Sequence, residues 1–371
     1  MASAPPNQWV LLHRQSENDA VRFIRQRHGG SAFDSRRGRL VLFGSDTHDK
    51  APDPSPKTPD GVDWKNNPFF FCLATLTWST PYAEDSWETY RANDEGLPVA
   101  GIGVERPWAM HTFGALIYDS VRDEMVVCSW PGHMNPGRFT DVLAHVWGDV
   151  KKHPTWTYSM ETGEWRALPC DPVHFFPYAV VYDTDRNVIL GYRDAGIWEL
   201  GGEPREWTRI SREKMLSWGS NAVYDSKHKA LIVFGSHRRT NSVVAYWPED
   251  GRHETMPTPG QRPPPGAYFP MCFDPTAGQT VVVADKEHRG GYGGARPAGT
   301  AGTWLYDLGR DRWTRLPQAD FPFPVLMNYN LEHDPAHGVN LLVVCMPDDH
   351  GNVETAVFAL RVDLAKSVSE F

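Results

Sequence analysis

One phrase recurs six times along the chain, and it limits what the chain can become. An apolar strand runs into an Asp, a polar turn follows, and a second apolar strand returns. It reads SAFDSRRGRLVLFG around Asp34 and GALIYDSVRDEMVVCSW around Asp119. It comes back as AVVYDTDRNVILGY at Asp183, NAVYDSKHKALIVFG at Asp225, MCFDPTAGQTVVVAD at Asp274 and LEHDPAHGVNLLVVC at Asp334. The Asp and the residues after it supply turn chemistry, and the flanks are β-branched and apolar. Each phrase therefore predicts a β-hairpin.

A second phrase follows most copies of the first: an aromatic strand, a polar turn, then Trp and a closing apolar residue. TWTYSMETGEWRALP ends at Pro169, GIWELGGEPREWTRI at Ile210 and GTWLYDLGRDRWTRLP at Pro317, and AYWPEDGRHETMP near Trp247 is a degenerate copy. Two hairpins in succession make a four-stranded unit, and the expected role of Trp165, Trp207 and Trp313 is packing between neighbouring units. Radial repetition of such units is a β-propeller. At about 50 residues per repeat the pattern is kelch-like.

The marker Asp residues are 85, 64, 42, 49 and 60 positions apart, so the longer intervals hold insertions or a poorly matching unit. The expectation is one all-β domain over residues 1–371 with seven four-stranded blades, or alternatively six. The seventh is most easily hidden in the insertion at 46–110. QWVLLHRQ near the N-terminus resembles the Trp strand that the C-terminal unit lacks. A strand near residues 8–13, carrying Trp9, is thus expected to complete the last blade and close the ring, leaving no open edge.

Composition narrows the partners. Aromatics make up 12% and charged residues 22% of the chain, which excludes disorder for most of it. A net charge of −9 gives no basic field, so nucleic acid is not an expected partner, and an anionic ligand needs a local cluster of Arg and His. The five Cys residues lie far apart with no CxxC, so the fold rests on its core rather than on disulfides. No apolar run suits a membrane span, and the chain as written shows no signal peptide. A secreted protein whose leader was trimmed would look the same, so compartment stays open, and a monomer is expected.

Register sorts the candidates for chemistry. Residues just before the first strand of a hairpin and just after its second share one end of a propeller. His111 precedes the strand leading to Asp119, and His133 follows that hairpin. Tyr178 begins the strand leading to Asp183, and Arg193 follows its return strand. Two imidazoles, a phenol and a guanidinium on one face form a set suited to proton transfer beside a carboxylate. His174, Trp218, His237, Arg238, Tyr268 and Asn328 are further substrate-contact candidates on that face.

On these residues the chain resembles the kelch-type propeller polysaccharide lyases, the ulvan lyases and rhamnosyl-glucuronate lyases. That family carries His, His, Tyr and Arg at comparable intervals, which here are 22, 45 and 15 residues. The resemblance implies cleavage of the bond to O4 of a glucuronate by β-elimination, leaving a 4,5-unsaturated uronate, with rhamnose as the leaving sugar. It casts Arg193 on the C6 carboxylate and His111 as the first choice for the proton shuttle. Tyr178 would share that shuttle near the leaving oxygen, and His133 would assist the carboxylate or the base. The expected partner is an anionic uronate-containing glycan, with no cofactor required for catalysis. A structural zinc or calcium ion is also considered, with His237, Cys272 and Cys345 as one thiolate-imidazole arrangement. The rival readings are non-enzymatic: a propeller that binds protein, or one that binds sugar without turnover.

Overall fold

The computed structural model describes residues 5–16, 18–23, 28–47, 64–138, 141–238, 240–285, 301–321, 329–347 and 353–366. Strand β1 (Val10–Arg14) opens the chain. The first full sheet follows from β2 (Gly30–Asp34), β3 (Arg39–Phe43), β4 (Phe69–Cys72) and β5 (Thr77–Ser79). A small sheet holds β6 (Arg91–Ala92), β7 (Pro98–Ala100) and β8 (Arg106–Pro107). The second full sheet is β9 (Leu116–Asp119), β10 (Glu124–Val127), β11 (Trp156–Ser159) and β12 (Trp165–Ala167). The third is β13 (Val180–Asp183), β14 (Val188–Arg193), β15 (Gly196–Gly201) and β16 (Glu206–Ser211).

The fourth sheet is β17 (Asn221–Asp225), β18 (Ala230–Phe234), β19 (Val243–Trp247) and β20 (Arg252–Met256). The fifth is β21 (Met271–Asp274), β22 (Gln279–Ala284), β23 (Ala301–Asp307) and β24 (Arg312–Phe321). The sixth takes β25 (Asn330–Asp334), β26 (Val339–Pro347) and β27 (Val353–Leu360) from the C-terminal region and β1 from the other end of the chain. This is a propeller-like all-β architecture. Where seven four-stranded blades, or alternatively six, were expected, the described residues form six such sheets and one three-stranded sheet, the smaller one lying in the 46–110 insertion. The small sheet packs through β8 on β12 and through β6 on the short helix α1 (Ala144–Trp147).

The recurring Asp has a local cause. Asp34, Asp119, Asp183, Asp225, Asp274 and Asp334 each end the first strand of a sheet and are wholly buried. Each carboxylate accepts backbone N–H groups of the turn that follows, for example those of Arg37, Arg122, Arg186 and His228 at 3.0–3.1 Å. A buried carboxylate without such donors would cost several kcal/mol, roughly, so the turn and the Asp require each other.

The six first strands touch in the order β2, β9, β13, β17, β21, β25, and β25 in turn touches β2. Apolar clusters fill the space between successive sheets. One joins Phe43 of the first sheet to Met125 of the second, and another joins Leu341 of the sixth to Leu40 of the first. The repeat Trp residues sit at these junctions. The Trp165 ring lies 4.9 Å from Phe43, and Trp313 lies 4.8 Å from Phe234. Trp207 Nε1–H donates to Thr155 Oγ1 at 2.9 Å.

The N-terminal segment behaves as the missing outer strand. β1 runs antiparallel to β27, with Val10 opposite Ala359 and Arg14 opposite Ala356. Trp9 Nε1–H donates to Thr303 Oγ1 at 2.9 Å, so Trp9 reaches the fifth sheet much as Trp313 reaches the fourth. No helix among the described residues is long and apolar enough to cross a membrane.

Candidate functional site

The Asp turns occupy one end of the sheets, and the opposite end carries the loops where chemistry was expected. Backbone hydrogen bonds join those loops from sheet to sheet. The N–H groups of Thr112 and Phe113 both donate to His28 O at 2.8 Å. Val180 N–H donates to Gly114 O at 2.7 Å, Gly219 N–H to Pro177 O at 2.9 Å, and Tyr268 N–H to Gly219 O at 2.7 Å. Side chains here are thus mounted on a continuous hydrogen-bonded surface. Gly30 and Gly44 allow its tightest approach: a Cβ on either would fall 2.2 Å from Phe113 O or Thr112 Oγ1 respectively. Gly44 also has φ +102°.

At the junction of the first two sheets stand three stacked imidazoles. The His111 ring lies 4.1 Å from that of His28 at 8° and 3.9 Å from that of His133 at 26°. Phe176, from the turn that leads into the third sheet, presents itself edge-on to all three, at 5.1 to 6.1 Å. His111 has 0% of its side chain exposed, and its Nε2 lies 3.7 Å from Asp46 Oδ1. The backbone N–H of Thr47 donates to that Nε2 at 3.1 Å. Accepting that bond requires a lone pair, which places the ring proton on Nδ1. The Ser129 hydroxyl donates to the His111 carbonyl and fixes the backbone behind the ring. His133 sits on a single 3-10 turn, Gly132–Met134, half-buried on the outer side of the stack.

Tyr178 lies in the bend just before β13, and Arg193 is on the third sheet. Tyr178 is buried, with its ring 5.7 Å from Tyr192. Burial, and then the Asp194 carboxylate accepting from its hydroxyl, raise its pKa, so the phenol stays protonated through neutral pH. Arg193 ends β14 and is exposed. Its positive charge acts on both Tyr178 and His174, which puts the three side chains in one electrostatic neighbourhood. Burial first, then His153 and Arg193, push His174 down to about 3. Burial alone pushes His153 down to about 4. Both rings pack on Trp130, with centroids 5.6 and 4.9 Å away, and stay neutral.

The remaining expected residues divide. Trp218 stacks on His237 at 3.6 Å, and Tyr268 meets Phe113 edge-on at 4.9 Å. Tyr268 is buried, whereas Arg238 is exposed. Asn328 lies outside the described residues. The structure does not bring His237, Cys272 and Cys345 together. Cys272 and Cys345 lie in the apolar core between the fifth and sixth sheets, and the Cys272 thiol donates to Asn340 Oδ1 at 3.3 Å. Burial raises that thiol well above its ordinary pKa, which disfavours the thiolate a metal needs, and His237 stands on the loop surface against Trp218. Among the described residues, the His, Cys, Asp and Glu group close enough to hold a metal is His28, Asp46 and His111.

His28, Asp46, Phe176 and Asp194 were missed from the sequence. His28 precedes β2 and Asp46 follows β3, the two positions that singled out His111 and His133 one sheet later. Applied to the first hairpin, the same register rule would have found them. Compared with known proteins, no family model matches the chain, and no curated protein matches it either.

Proposed function

We propose that the chain is a closed six-bladed propeller that cleaves the bond to O4 of a glucuronate residue in a polysaccharide or oligosaccharide by β-elimination. The observation that carries the reading is the imidazole pair His111–His133, in ring contact at 3.9 Å, on the same end as Arg193 and the protonated Tyr178. The C5 proton of a glucuronate is weakly acidic, and its removal drives negative charge into the C6 carboxylate. A guanidinium held in two places on that carboxylate lowers the cost of the charge. Arg193 is exposed and suits that task.

The proton then needs an acceptor that substrate can touch. His111 has no exposed side-chain surface, so the shuttle passes from His111, the first choice by sequence, to His133 on the outer side of the stack. His111 positions His133 by stacking. The C5–H electron pair forms the C4–C5 double bond as the C4–O4 bond breaks. Tyr178, held protonated, supplies a proton to the departing oxygen and is reprotonated from His133 or solvent. The expected leaving sugar is rhamnose and the expected partner an anionic glycan, which meets a local Arg and His cluster on an otherwise acidic chain.

The test is incubation with ulvan, arabinogalactan and other glucuronate-containing glycans while following the ultraviolet absorbance of unsaturated uronate. Turnover is expected on at least one of them. Arg193→Ala and His133→Ala should each lower it by about 100-fold or more, and the exposed Arg193 change should leave the melt within ~1 °C. Silence on every glucuronate glycan, or full turnover in Arg193→Ala, would sink the reading.

A further inference from the structure

We propose that His28, Asp46 and His111 form a binding site for a single divalent transition metal ion of the zinc type. The donor atoms of these three residues lie within 4.8 Å of one another, and all three residues are buried. His28 is 3% exposed, Asp46 6% and His111 1%. Surface His and Asp residues meet by chance, but three buried donors from two successive sheets do so only if the scaffold holds them there. The scaffold here is specific. The His28 carbonyl is tied to the loop of His111 through Thr112 and Phe113, and Ser45 N–H, beside Asp46, donates to Met110 O at 3.0 Å.

The donor set selects the ion. Two imidazoles and one carboxylate suit zinc and its first-row neighbours, whereas calcium takes six to eight oxygens, roughly, and finds one carboxylate here. Three protein ligands leave a coordination position open, the pattern of a site that also meets water or an anion. The tautomer is already correct. With its proton on Nδ1, His111 offers the Nε2 lone pair now facing Thr47 N–H, and a metal takes up that lone pair without moving a proton. Drawing the donors to the ~3.3 Å spacing of a four-coordinate zinc asks for side-chain shifts of about 1 Å and for the His28 and His111 rings to tilt out of their 8° stack, so that both in-plane lone pairs meet one ion, with no new backbone path. The site borders His133 without including it, so a bound cation would sit directly behind the proposed proton carrier.

The inference stands apart from the lyase reading, because its readout is metal content. The whole 371-residue chain is stripped with a chelator, dialysed, and titrated calorimetrically with zinc chloride, with cobalt(II) as a second probe read by its visible ligand-field bands. One ion per chain is expected, with cobalt bands of a low-coordinate nitrogen and oxygen site. His28→Ala and Asp46→Asn should each weaken binding by about 100-fold or more, since loss of an outer-shell partner alone typically costs roughly 10- to 100-fold. His145→Ala, at an exposed histidine, should leave the affinity unchanged. Circular dichroism checks that the variants fold, and Asp46→Asn keeps the side-chain shape if His28→Ala does not. Failure to bind one equivalent, or equal affinity in folded Asp46→Asn and wild type, overturns the proposal.

Discussion

Buried histidines tie the stability of this end of the molecule to pH. His174 and His153 are neutral in the folded chain because burial disfavours the imidazolium, at about 3 and about 4 respectively. An unfolded imidazole titrates near about 6.5. Between those values the unfolded state binds protons that the folded state refuses, so stability is full above about pH 6.5 and falls as the pH drops toward the folded values. From pH 7 to pH 5 the loss is about 1–2 kcal/mol per ring. The double variant His153→Gln/His174→Gln should therefore show a flatter melting temperature across that interval than wild type. Parallel pH profiles for the two proteins would mean these rings are protonated in the fold. Tyr178 works in the opposite sense: its raised pKa keeps it a donor, so an alkaline limb of activity near neutrality is not expected to come from this phenol.

At the scale of elements, β1 is the strand whose loss tells most. Removing residues 1–14 would leave β27 as an exposed edge with its N–H and C=O groups unpaired, and would strip Trp9 from Thr303 and Phe321. An open edge invites pairing with another chain, and a Trp truncation alone costs about 3 kcal/mol. The expected result is a melting temperature lower by ~10 °C or more, with aggregation on heating. A melt unchanged by the deletion would show that β1 adds nothing to the sixth sheet. This strand was legible because its Trp and apolar alternation match a phrase absent at the C-terminal end. The hairpins were legible for a related reason: Asp183 and its counterparts are required by the turns they bond, so the residue cannot drift. The insertion was not. Strands of two or three residues, such as β6 and β8, carry too little alternation to announce themselves, and the small sheet is held by packing against α1 and β12. In the imidazole stack, His111 and His133 were legible by register and His28 would have been by the same rule, but the ring contact among them is made across two sheets and leaves no local pattern.

For the whole molecule, the decisive property is that the sixth sheet packs on the first. Leu341 and Val343 share an apolar cluster with Phe33, Leu40 and Phe71, and β25 touches β2. In an open array of repeats, the terminal units have one neighbour and fray first, so stability grades from the ends inward. In the proposed ring every sheet has two neighbours, and the chain ends share a sheet through β1 and β27. Opening any one sheet then strips apolar area from both sides of it, and local opening costs nearly as much as global unfolding. Native-state hydrogen exchange makes the distinction. Amides of β2, β9, β13, β17, β21 and β25 should exchange with one common free energy equal to that of global unfolding, while those of the short β6–β8 sheet exchange sooner. A graded series, with β2 and β25 opening well before β13 and β17, is what an unclosed array would give. The joint between first and last sheets would then be too weak to count as closure. The same joint bears on chemistry, because His28 and Asp46 belong to the first sheet and His111 to the second. A ring that resists local opening holds those three donors at fixed separation, whereas a fraying first sheet would disperse them and take the metal affinity with it.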